Sequence, residues 1–401
     1  MFLMIITNFC YYYNIYAILF IGDIMKRIVI FLLSFSIFLI TPTTVFAQEK
    51  DTEIKVKSSI LMCLDNGQVL SEENAYEHLS PASVTKVMSI LLIMEALDTG
   101  KISLDDMVAA SENAVSKGGS QIWLEVGEQM SVNDLLKAVI IASANDACTL
   151  LGEYIAGSDA AFVDMMNEKV KELGLKDTHF ENSTGLDDTV TNHYSCAYDI
   201  AVMAKEVMKY DLVKKYSTVW LDSLRNGETE LNNTNKLINK YDGITGLKTG
   251  TTSNAGFCLC ATATRDGMSL VSVVLGADTS DDRFDKSTQL LDYGFANYKL
   301  AKIEIDETKL TEIKIKNGVV KKITPVAQNT DSVLVDKSAQ EFEYEYKIKS
   351  EVKAPIKKGD VMGEIIIKND DKQIASVNVV ADRDVKATNF ACLFKQLLKY
   401  I

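Results

Sequence analysis

The feature that most limits the architecture of this chain is a segment that is apolar on nearly every side. It follows Ser83 and runs as a predicted helix to the turn Asp98-Thr99-Gly100. A helix with apolar residues all round is typical of a protein core, because a surface helix keeps one polar face. The chain is therefore expected to enclose this helix between other elements. Its apolar residues are Val84, Val87, Met88, Ile90, Leu91, Leu92, Ile93, Met94, Ala96 and Leu97.

The composition is that of a globular protein with a sizeable core. The chain has 401 residues, of which 47% are hydrophobic and 24% are charged. It is longer than one ordinary domain, and its four prolines argue against a long flexible linker. The formal net charge is −13. Such acidity disfavours nucleic-acid binding, which requires a basic face, so we expect no nucleic-acid partner.

Metal and cofactor sites find little support in the sequence. The seven cysteines form no C-x-x-C pair, and the histidines His78, His179 and His193 have no metal-ligand spacing. A zinc site is therefore not expected, and a Ser-His-Asp triad has few candidates. We interpret the cysteines as small core residues and predict neither a metal nor a cofactor.

The N-terminal region has the layout of a targeting signal. A basic pair at 26–27 precedes the uncharged apolar run 28–40, and small residues precede a predicted cleavage after Ala47. This pattern is typical of a secretory signal peptide. Residues 1–47 are therefore predicted to be a signal region, with the true translation start at Met25. An alternative is a first transmembrane helix from about Phe2 to Ile21. The protein is expected to be exported and either membrane-associated or secreted.

Residues 48–300 have the pattern of an α/β domain. A strand-like run over 54–64 meets the hairpin signal Asp65-Asn66-Gly67, and further strands are predicted over 257–263 and 268–276. Helical segments separate these strands, so the two ends of the region are expected to share one mostly antiparallel sheet beside a helical cluster. The helices are predicted from Ser131 to Ile141, Ser158 to Gly174, Tyr198 to Tyr210 and Asp285 to Ala296.

The C-terminal part of the chain changes to a period of two. Residues 301–385 contain short alternating segments such as 312–316, which predict a small all-β domain. Residues 386–401 return to a helical period, with apolar residues on one face and lysines opposite. Such an amphipathic helix is suited to peripheral attachment to an anionic membrane surface. The alternatives are a terminal helix packed on the β domain and a dimer contact.

The first chemical motif is Ser83-Val84-Thr85-Lys86, at the start of the apolar helix. Residues three apart lie on one helical face, so Lys86 can reach the Ser83 hydroxyl. A helix start favours a developing negative charge, and burial lowers the pKa of a lysine. Ser83 is therefore the candidate nucleophile and Lys86 its candidate base.

The second motif is Ser143-Ala144-Asn145, which falls at a predicted helix break. Its serine hydroxyl can relay a proton, and its asparagine amide can hold a substrate carbonyl. Taken alone, the motif fits an ordinary turn or cap equally well.

The third motif is Lys248-Thr249-Gly250-Thr251. Lys248 can lower the pKa of Lys86 and attract a carboxylate, because like charges disfavour one another and opposite charges attract. Gly250 lets a substrate backbone approach closely. Taken alone, the motif also fits a β-turn with a solvated lysine.

Together and in this order, the three motifs are the signature of penicillin-binding proteins and class A β-lactamases. The sequence resembles the low-molecular-mass penicillin-binding proteins, which are the serine-type D-alanyl-D-alanine carboxypeptidases of peptidase family S11, over nearly all of its mature length. Segments 180–186, 242–252 and 276–284 add to this resemblance. It implies a serine β-lactamase/DD-peptidase-like catalytic domain, followed by the small β domain and the membrane-suited tail.

The resemblance also implies a two-step acyl transfer on the peptidoglycan stem peptide. Ser83 attacks the bond between two D-alanines, Lys86 accepts its proton, and Ser143 passes a proton to the leaving D-alanine. The backbone N–H groups of Ser83 and Thr251 form the oxyanion hole. β-Lactam antibiotics acylate Ser83 by the same route. The residues expected to bind substrate are Asn145, Lys248, Thr249, Gly250 and Thr251.

The sequence leaves some alternatives open and disfavours others. A class A-like β-lactamase shares the motifs but needs an E-x-x-N element, and the one present between the second and third motifs, Glu230 to Asn233, lies too close to Lys248. A peptidoglycan endopeptidase stays open, as does a role in sporulation. A non-catalytic surface-binding protein on the same fold is disfavoured because all three motifs are intact.

Overall fold

The computed structural model describes residues 20–22, 24–27, 54–328, 332–339, 341–369 and 372–389. The predicted apolar signal run over 28–40, its cleavage site, and the apolar face of the predicted C-terminal helix lie outside these residues. Within the described part of the chain, no helix is both long and apolar enough to cross a membrane.

The first part of the chain from residue 54 onwards combines one large sheet with a helical cluster. Its helices are α1 (Lys86–Asp98), α2 (Glu112–Val115), α3 (Val132–Ile141), α4 (Asn145–Ala156), α5 (Asp159–Glu172), α6 (Ala197–Val207), α7 (Asp211–Ser217) and α8 (Ser280–Asn297). Its strands are β1 (Ser58–Cys63), β2 (Val69–Glu73), β3 (Met107–Ala109), β4 (Gln129–Ser131), β5 (Leu221–Leu224), β6 (Thr229–Asn232), β7 (Ile244–Thr252), β8 (Gly256–Arg265) and β9 (Met268–Ala277).

The large sheet has the strand order β2-β1-β9-β8-β7, and every neighbouring pair is antiparallel. The first and last strands of the region therefore meet, as the sequence predicts, because β1 pairs with β9. The predicted fold class, a mostly antiparallel sheet with a helical cluster followed by a β domain, is confirmed.

Alternate side chains of the sheet serve two separate cores. In β8, Cys258 and Cys260 face the helical cluster, whereas Leu259 and Ala261 face α8. This is the period of two expected of a strand that is covered on both faces. The cysteines Cys63, Cys148, Cys196, Cys258 and Cys260 are all buried with free thiols, in agreement with their interpretation as small core residues.

Helix α1 lies at the centre of the helical cluster. It contacts α3, α4, α5, α6 and β7, and its residues from Lys86 to Met94 are all buried. The all-round apolar pattern is thus explained by neighbours on every side. The short 3-10 turn Ala82–Thr85 precedes α1 and brings Ser83 to its start.

The helical part departs from the prediction most clearly at α4 and at the start of α8. Helix α4 was missed, because the three residues 142–144 between α3 and α4 were interpreted as the end of helical structure. Helix α8 begins at Ser280 instead of Asp285, because the Thr279 side chain accepts a hydrogen bond from Asp282 N–H and the Asp282 side chain accepts one from Thr279 N–H. This reciprocal capping box fixes the earlier start.

A group of short strands follows α8. They are β10 (Tyr298–Lys302), β11 (Ile313–Lys316), β12 (Lys322–Ile323), β13 (Val326–Ala327), β14 (Ser332–Asp336), β15 (Glu343–Ile348), β16 (Glu351–Lys353), β17 (Val361–Asn369) and β18 (Lys372–Val380). The largest sheet among them has the order β13-β18-β17-β15. Alternate residues such as Ile365 and Ile367 are fully buried, as a period of two requires. The exact domain boundaries stay a prediction.

The packing of α5 on α4 helps to hold α4 in place, and a cavity at this contact tests its contribution to stability. The ring of Phe162 is fully buried and lies against Gly152 of α4, where an added Cβ would be 2.8 Å from the ring. We expect Phe162→Ala to lower the free energy of unfolding by about 3–5 kcal/mol, measured by urea denaturation. Val126→Ala, at an exposed side chain, is the control and should change it by less than about 0.5 kcal/mol. Equal effects of the two substitutions would contradict this account of the packing.

Candidate active site

The hydroxyl of Ser83 lies beside the side-chain nitrogen of Lys86. Lys86 Nζ is 2.9 Å from Ser83 Oγ, and the lysine is completely buried while the serine is partly exposed. The two residues are one turn apart where the 3-10 turn passes into α1. A nucleophile candidate and a base candidate are therefore within hydrogen-bond reach, with the nucleophile open to the solvent side.

The hydrogen-bond partners of Lys86 are compatible with a neutral amine, which is the form that can accept a proton. Besides Ser83 Oγ, its Nζ lies 2.6 Å from Asn145 Oδ1 and 2.9 Å from the carbonyl oxygen of Thr184. Both of these oxygens can only accept a hydrogen bond. A neutral amine has two N–H groups and one lone pair, so it can donate to both oxygens and turn its lone pair towards Ser83.

Burial makes that neutral state accessible. It lowers the pKa of Lys86 to about 8, against the opposing effect of Cys148 and Asp146. Desolvation disfavours the charged form of a lysine. A base near neutral pH therefore follows from the position of Lys86 inside the apolar helical cluster.

Asn145 orients Lys86 from the first residue of α4. Its Oδ1 accepts from Lys86 Nζ, its Nδ2 donates to the carbonyl of Gly118 over 2.7 Å, and its backbone N–H donates to the carbonyl of Ser120. The sequence assigned this amide to a substrate carbonyl. In the structure the amide is engaged by protein groups on both sides.

Ser143 adopts a backbone conformation that is unusual for its residue type. Its φ is 63°, in the left-handed region, which few residues other than glycine adopt. The residue is only 4% exposed. Among the described residues, its hydroxyl has no hydrogen-bond partner. Strained residues of this kind cluster at functional sites, and the free hydroxyl suits the predicted relay.

Lys248 lies on β7, the edge strand of the large sheet, and is also buried. Its Nζ donates to the carbonyl of Thr249 over 2.8 Å. Burial lowers the pKa of Lys248 well below its usual value, and the charges of Lys86 and Arg283 lower it further. The charge of Lys86 thus lowers the pKa of Lys248, whereas the lowered pKa of Lys86 has burial as its cause. The predicted effect of Lys248 on the pKa of Lys86 stays a prediction.

Gly250 allows β7 to approach the Ser83 turn closely. A Cβ at this position would lie 2.7 Å from the Pro81 carbonyl oxygen and 3.0 Å from the backbone nitrogens of Ser83 and Val84. The sequence assigned this space to a substrate backbone. The structure shows that the protein's own backbone fills it, so glycine is required to bring the first and third motifs together.

The hydroxyls of the third motif are held by side chains outside it. Thr249 Oγ1 donates to Thr234 Oγ1 over 2.6 Å. Thr251 Oγ1 accepts from the guanidinium of Arg283, which also donates to the carbonyl of Gly250. Arg283 was not among the predicted site residues. Arg283 lies in the segment 276–284, which supported the family resemblance, and this is the sequence signal that could have identified it as a site residue.

A segment before α6 forms one wall of the site. That this segment lines the site was not predicted from the sequence. The carbonyl of Thr184 accepts from Lys86, and Gly185 lies against the Ser83 turn, where its added Cβ would be 1.8 Å from the Ala82 carbonyl oxygen. Asp187 then accepts from Ser80 Oγ and from Thr252 Oγ1. We call residues 180–187 the wall segment. It joins α1 to β7.

Known proteins match the chain in both parts. The D-alanyl-D-alanine carboxypeptidase family, peptidase S11, matches residues 44–279, and the penicillin-binding protein 5 C-terminal domain matches residues 298–387. The D-alanyl-D-alanine carboxypeptidase DacF of Bacillus subtilis is 41% identical over 93% of this chain and 98% of its own length.

Solved structures agree with this assignment. Penicillin-binding protein 5 from Haemophilus influenzae has a TM-score of 0.75 at 34% identity, over 83% of this chain and 98% of its own. Penicillin-binding protein D2 from Listeria monocytogenes, in its ampicillin-bound form, has a TM-score of 0.53 at 30% identity, over 60% of this chain and 97% of its own. The chain carrying this site therefore belongs to the D-alanyl-D-alanine carboxypeptidase family.

Proposed function

We propose that this protein is a serine-type D-alanyl-D-alanine carboxypeptidase that removes the terminal D-alanine from peptidoglycan stem pentapeptides through an acyl-enzyme on Ser83. The observation that carries the proposal is the 2.9 Å contact between Ser83 Oγ and the buried Nζ of Lys86. A serine becomes a nucleophile when an adjacent base accepts its proton.

In the first step neutral Lys86 accepts the Ser83 proton, and Ser83 Oγ attacks the carbonyl carbon between the two D-alanines. The tetrahedral oxyanion then lies between the backbone N–H groups of Ser83 and Thr251. The close approach of β7 to the Ser83 turn at Gly250 supports this placement. Fixed N–H donors stabilise such a charge without reorganisation.

Collapse of the intermediate breaks the peptide bond and needs a proton on the leaving nitrogen. Ser143 passes that proton from Lys86 to the departing D-alanine, and its unpartnered hydroxyl supports this role. Water then attacks the Ser83 ester, with Lys86 again accepting a proton, and releases the shortened peptide.

The terminal carboxylate of the substrate binds at Lys248, Thr249 and Thr251. Arg283 adds positive charge on the same side, since its guanidinium contacts the Thr251 hydroxyl at 3.1 Å. A bound carboxylate raises the pKa of Lys248, because an opposite charge favours the ammonium form. The site therefore selects peptides that end in a free carboxylate.

Penicillins bind the same site and acylate Ser83, as a cyclic mimic of the D-alanyl-D-alanine carbonyl. The ampicillin-bound relative supports this part of the proposal. A β-lactamase is not favoured. Glu230 lies exposed on the β5–β6 hairpin, and the Asn233 amide donates to the carbonyls of Ser217 and Val219, so this element does not supply a deacylating base.

We further propose that residues 1–47 export the protein and that residues 386–401 attach it to the outer face of the cell membrane. The support is the charge and apolar pattern of these segments in the sequence. The catalytic domain then comprises residues 48–300, and the β domain residues 301–385.

The central test is the fate of a D-alanyl-D-alanine pentapeptide and of a fluorescent penicillin. We expect the wild-type protein to release one D-alanine and to carry a covalent label, as measured by mass spectrometry. Ser83→Ala should do neither, and Lys86→Ala should slow acylation by at least about 10²-fold. Lys101→Ala, at an exposed lysine of the same domain, is the control. A label on Ser83→Ala, or cleavage of cross-linked peptides alone, would contradict the proposal.

The pKa of Lys86 predicts how acylation depends on pH. Because only the neutral amine accepts the Ser83 proton, the rate should rise tenfold per pH unit in acid and level off above a midpoint near the pKa of Lys86, about 8. The measurement is the second-order rate of penicillin acylation across pH, with circular dichroism to confirm that the protein stays folded. A rate that is flat through this range would rule out Lys86 as the base.

The approach of β7 to the Ser83 turn predicts a strong effect of a single methyl group. Gly250→Ala should displace the third motif, because the new Cβ meets backbone atoms that cannot rotate away. We expect acylation to fall on the order of 10²-fold, as for other misplacements of about 1 Å. Lys101→Ala, at an exposed lysine of the same domain, is the control. An unchanged rate in Gly250→Ala would show that the approach is not needed.

A further inference from the structure

His193 is a buried titratable residue that the proposed reaction does not use. It precedes α6, is 8% exposed, and makes a hydrogen bond with each ring nitrogen. Its Nε2 lies 2.8 Å from Thr85 Oγ1, and its Nδ1 accepts from the backbone N–H of Glu181 over 3.0 Å. It therefore connects the Ser83–Lys86 turn with the wall segment.

The two contacts fix the tautomer of the ring. A backbone N–H can only donate, so Nδ1 carries no proton, and the proton of the neutral ring is on Nε2. Nε2 then donates to the Thr85 hydroxyl. Thr85 is the residue directly before Lys86, so the hydrogen bond is made to the part of the chain that positions the proposed base.

The other side of the ring holds the wall segment at its beginning. Glu181 N–H binds His193, while the Glu181 carboxylate accepts from the backbone N–H groups of Thr191 and Asn192. Asn182 Oδ1 accepts from the N–H groups of Thr184 and Gly185. The segment is thus rigid within itself, and His193 fixes it relative to α1.

We propose that His193 is a positioning residue: it holds the Thr184 carbonyl in place to accept from Lys86, and so keeps the lone pair of Lys86 directed at Ser83. This inference rests on the proposed roles of Ser83 and Lys86. It adds a role for a side chain that does not touch the substrate.

The surroundings keep the ring neutral, which the two hydrogen bonds require. Burial lowers the pKa of His193 to about 4, and the nearby His179 lowers it as well, whereas Glu181 and Asp187 raise it. A protonated ring would place an N–H group on Nδ1, opposite the Glu181 N–H, and would break that hydrogen bond. Because the ring is neutral near neutral pH, both hydrogen bonds of His193 are kept there.

Substitutions can separate the two hydrogen bonds. Glutamine places its amide nitrogen near the position of Nε2 and can still donate to Thr85. Asparagine is shorter, and its amide oxygen lies near Nδ1, so it keeps the Glu181 contact and loses Thr85. Thr85→Val removes only the accepting hydroxyl, and Thr85→Ser retains it.

The test is the rate constant of covalent acylation by a fluorescent penicillin, separated from the dissociation constant of the non-covalent complex. We expect His193→Asn and Thr85→Val to lower the rate constant on the order of ten- to a hundredfold, with little change in the dissociation constant. His193→Gln keeps the Thr85 contact but loses the Glu181 contact, so it should slow acylation to a similar degree. Thr85→Ser, which retains the hydroxyl, should stay within about threefold of wild type. The double variant His193→Asn/Thr85→Val should be no slower than the slower single variant, because both remove one interaction.

Thermal unfolding of each variant distinguishes a positioning role of His193 from a purely structural one. Lower melting temperatures with unchanged acylation rate constants would overturn the proposal and leave His193 a purely structural residue. Additive effects in the double variant would also overturn it. Failure of the underlying function is distinguishable, because the wild-type protein would then carry no label at Ser83.

Discussion

The burial of two lysines in one apolar cluster is the condition on which the site depends. In the described part of the chain, neither Lys86 nor Lys248 forms a salt bridge through its Nζ; their hydrogen bonds go to carbonyl, amide and hydroxyl oxygens. An unpaired buried charge is costly, so such groups shift their pKa and lose their charge instead. The helical cluster around α1 therefore does more than stabilise the fold. It converts an ordinary lysine into a base.

Two glycines allow the backbone to enclose this pair. Gly250 brings β7 against the Ser83 turn from one side, and Gly185 brings the wall segment against Ala82 from the other. At both positions the atoms nearest to an added Cβ belong to the backbone, which cannot rotate away as the end of a side chain can. The first and third motifs thus meet through main-chain contacts between rigid elements, whereas the second meets the first through the Asn145 side chain. This keeps the reacting groups in place more firmly than loops joined only by side chains would.

Much of the fold could be predicted from the sequence, because the pattern of apolar residues indicates which segments are helices, which are strands and which are buried. The all-round apolar pattern of α1 and the continuous apolar runs of β8 and β9 each follow from how many sides of an element are covered. Helix α4 escaped prediction, since only three residues separate it from α3. Within the site, Ser83 and Lys86 could be predicted from their three-residue spacing at the start of an apolar helix, together with the order of the two other motifs. The Thr184 carbonyl could not be found, because every residue has a carbonyl and only the fold brings this one to Lys86.

Local strain marks where the fold serves the chemistry. Ala82 and Ser143 have φ values of 48° and 63°, which cost residues with a side chain of the order of 1–3 kcal/mol each. One precedes the nucleophile, and the other is the proposed relay. The surrounding packing must hold both, and Ala82 is fully buried against Gly185. Sites of this kind depart from local preferences because position relative to substrate outweighs them. The wall segment and the hydrogen bond from His193 to Thr85 supply part of that restraint, so the strained turn and its positioning residue belong to one arrangement.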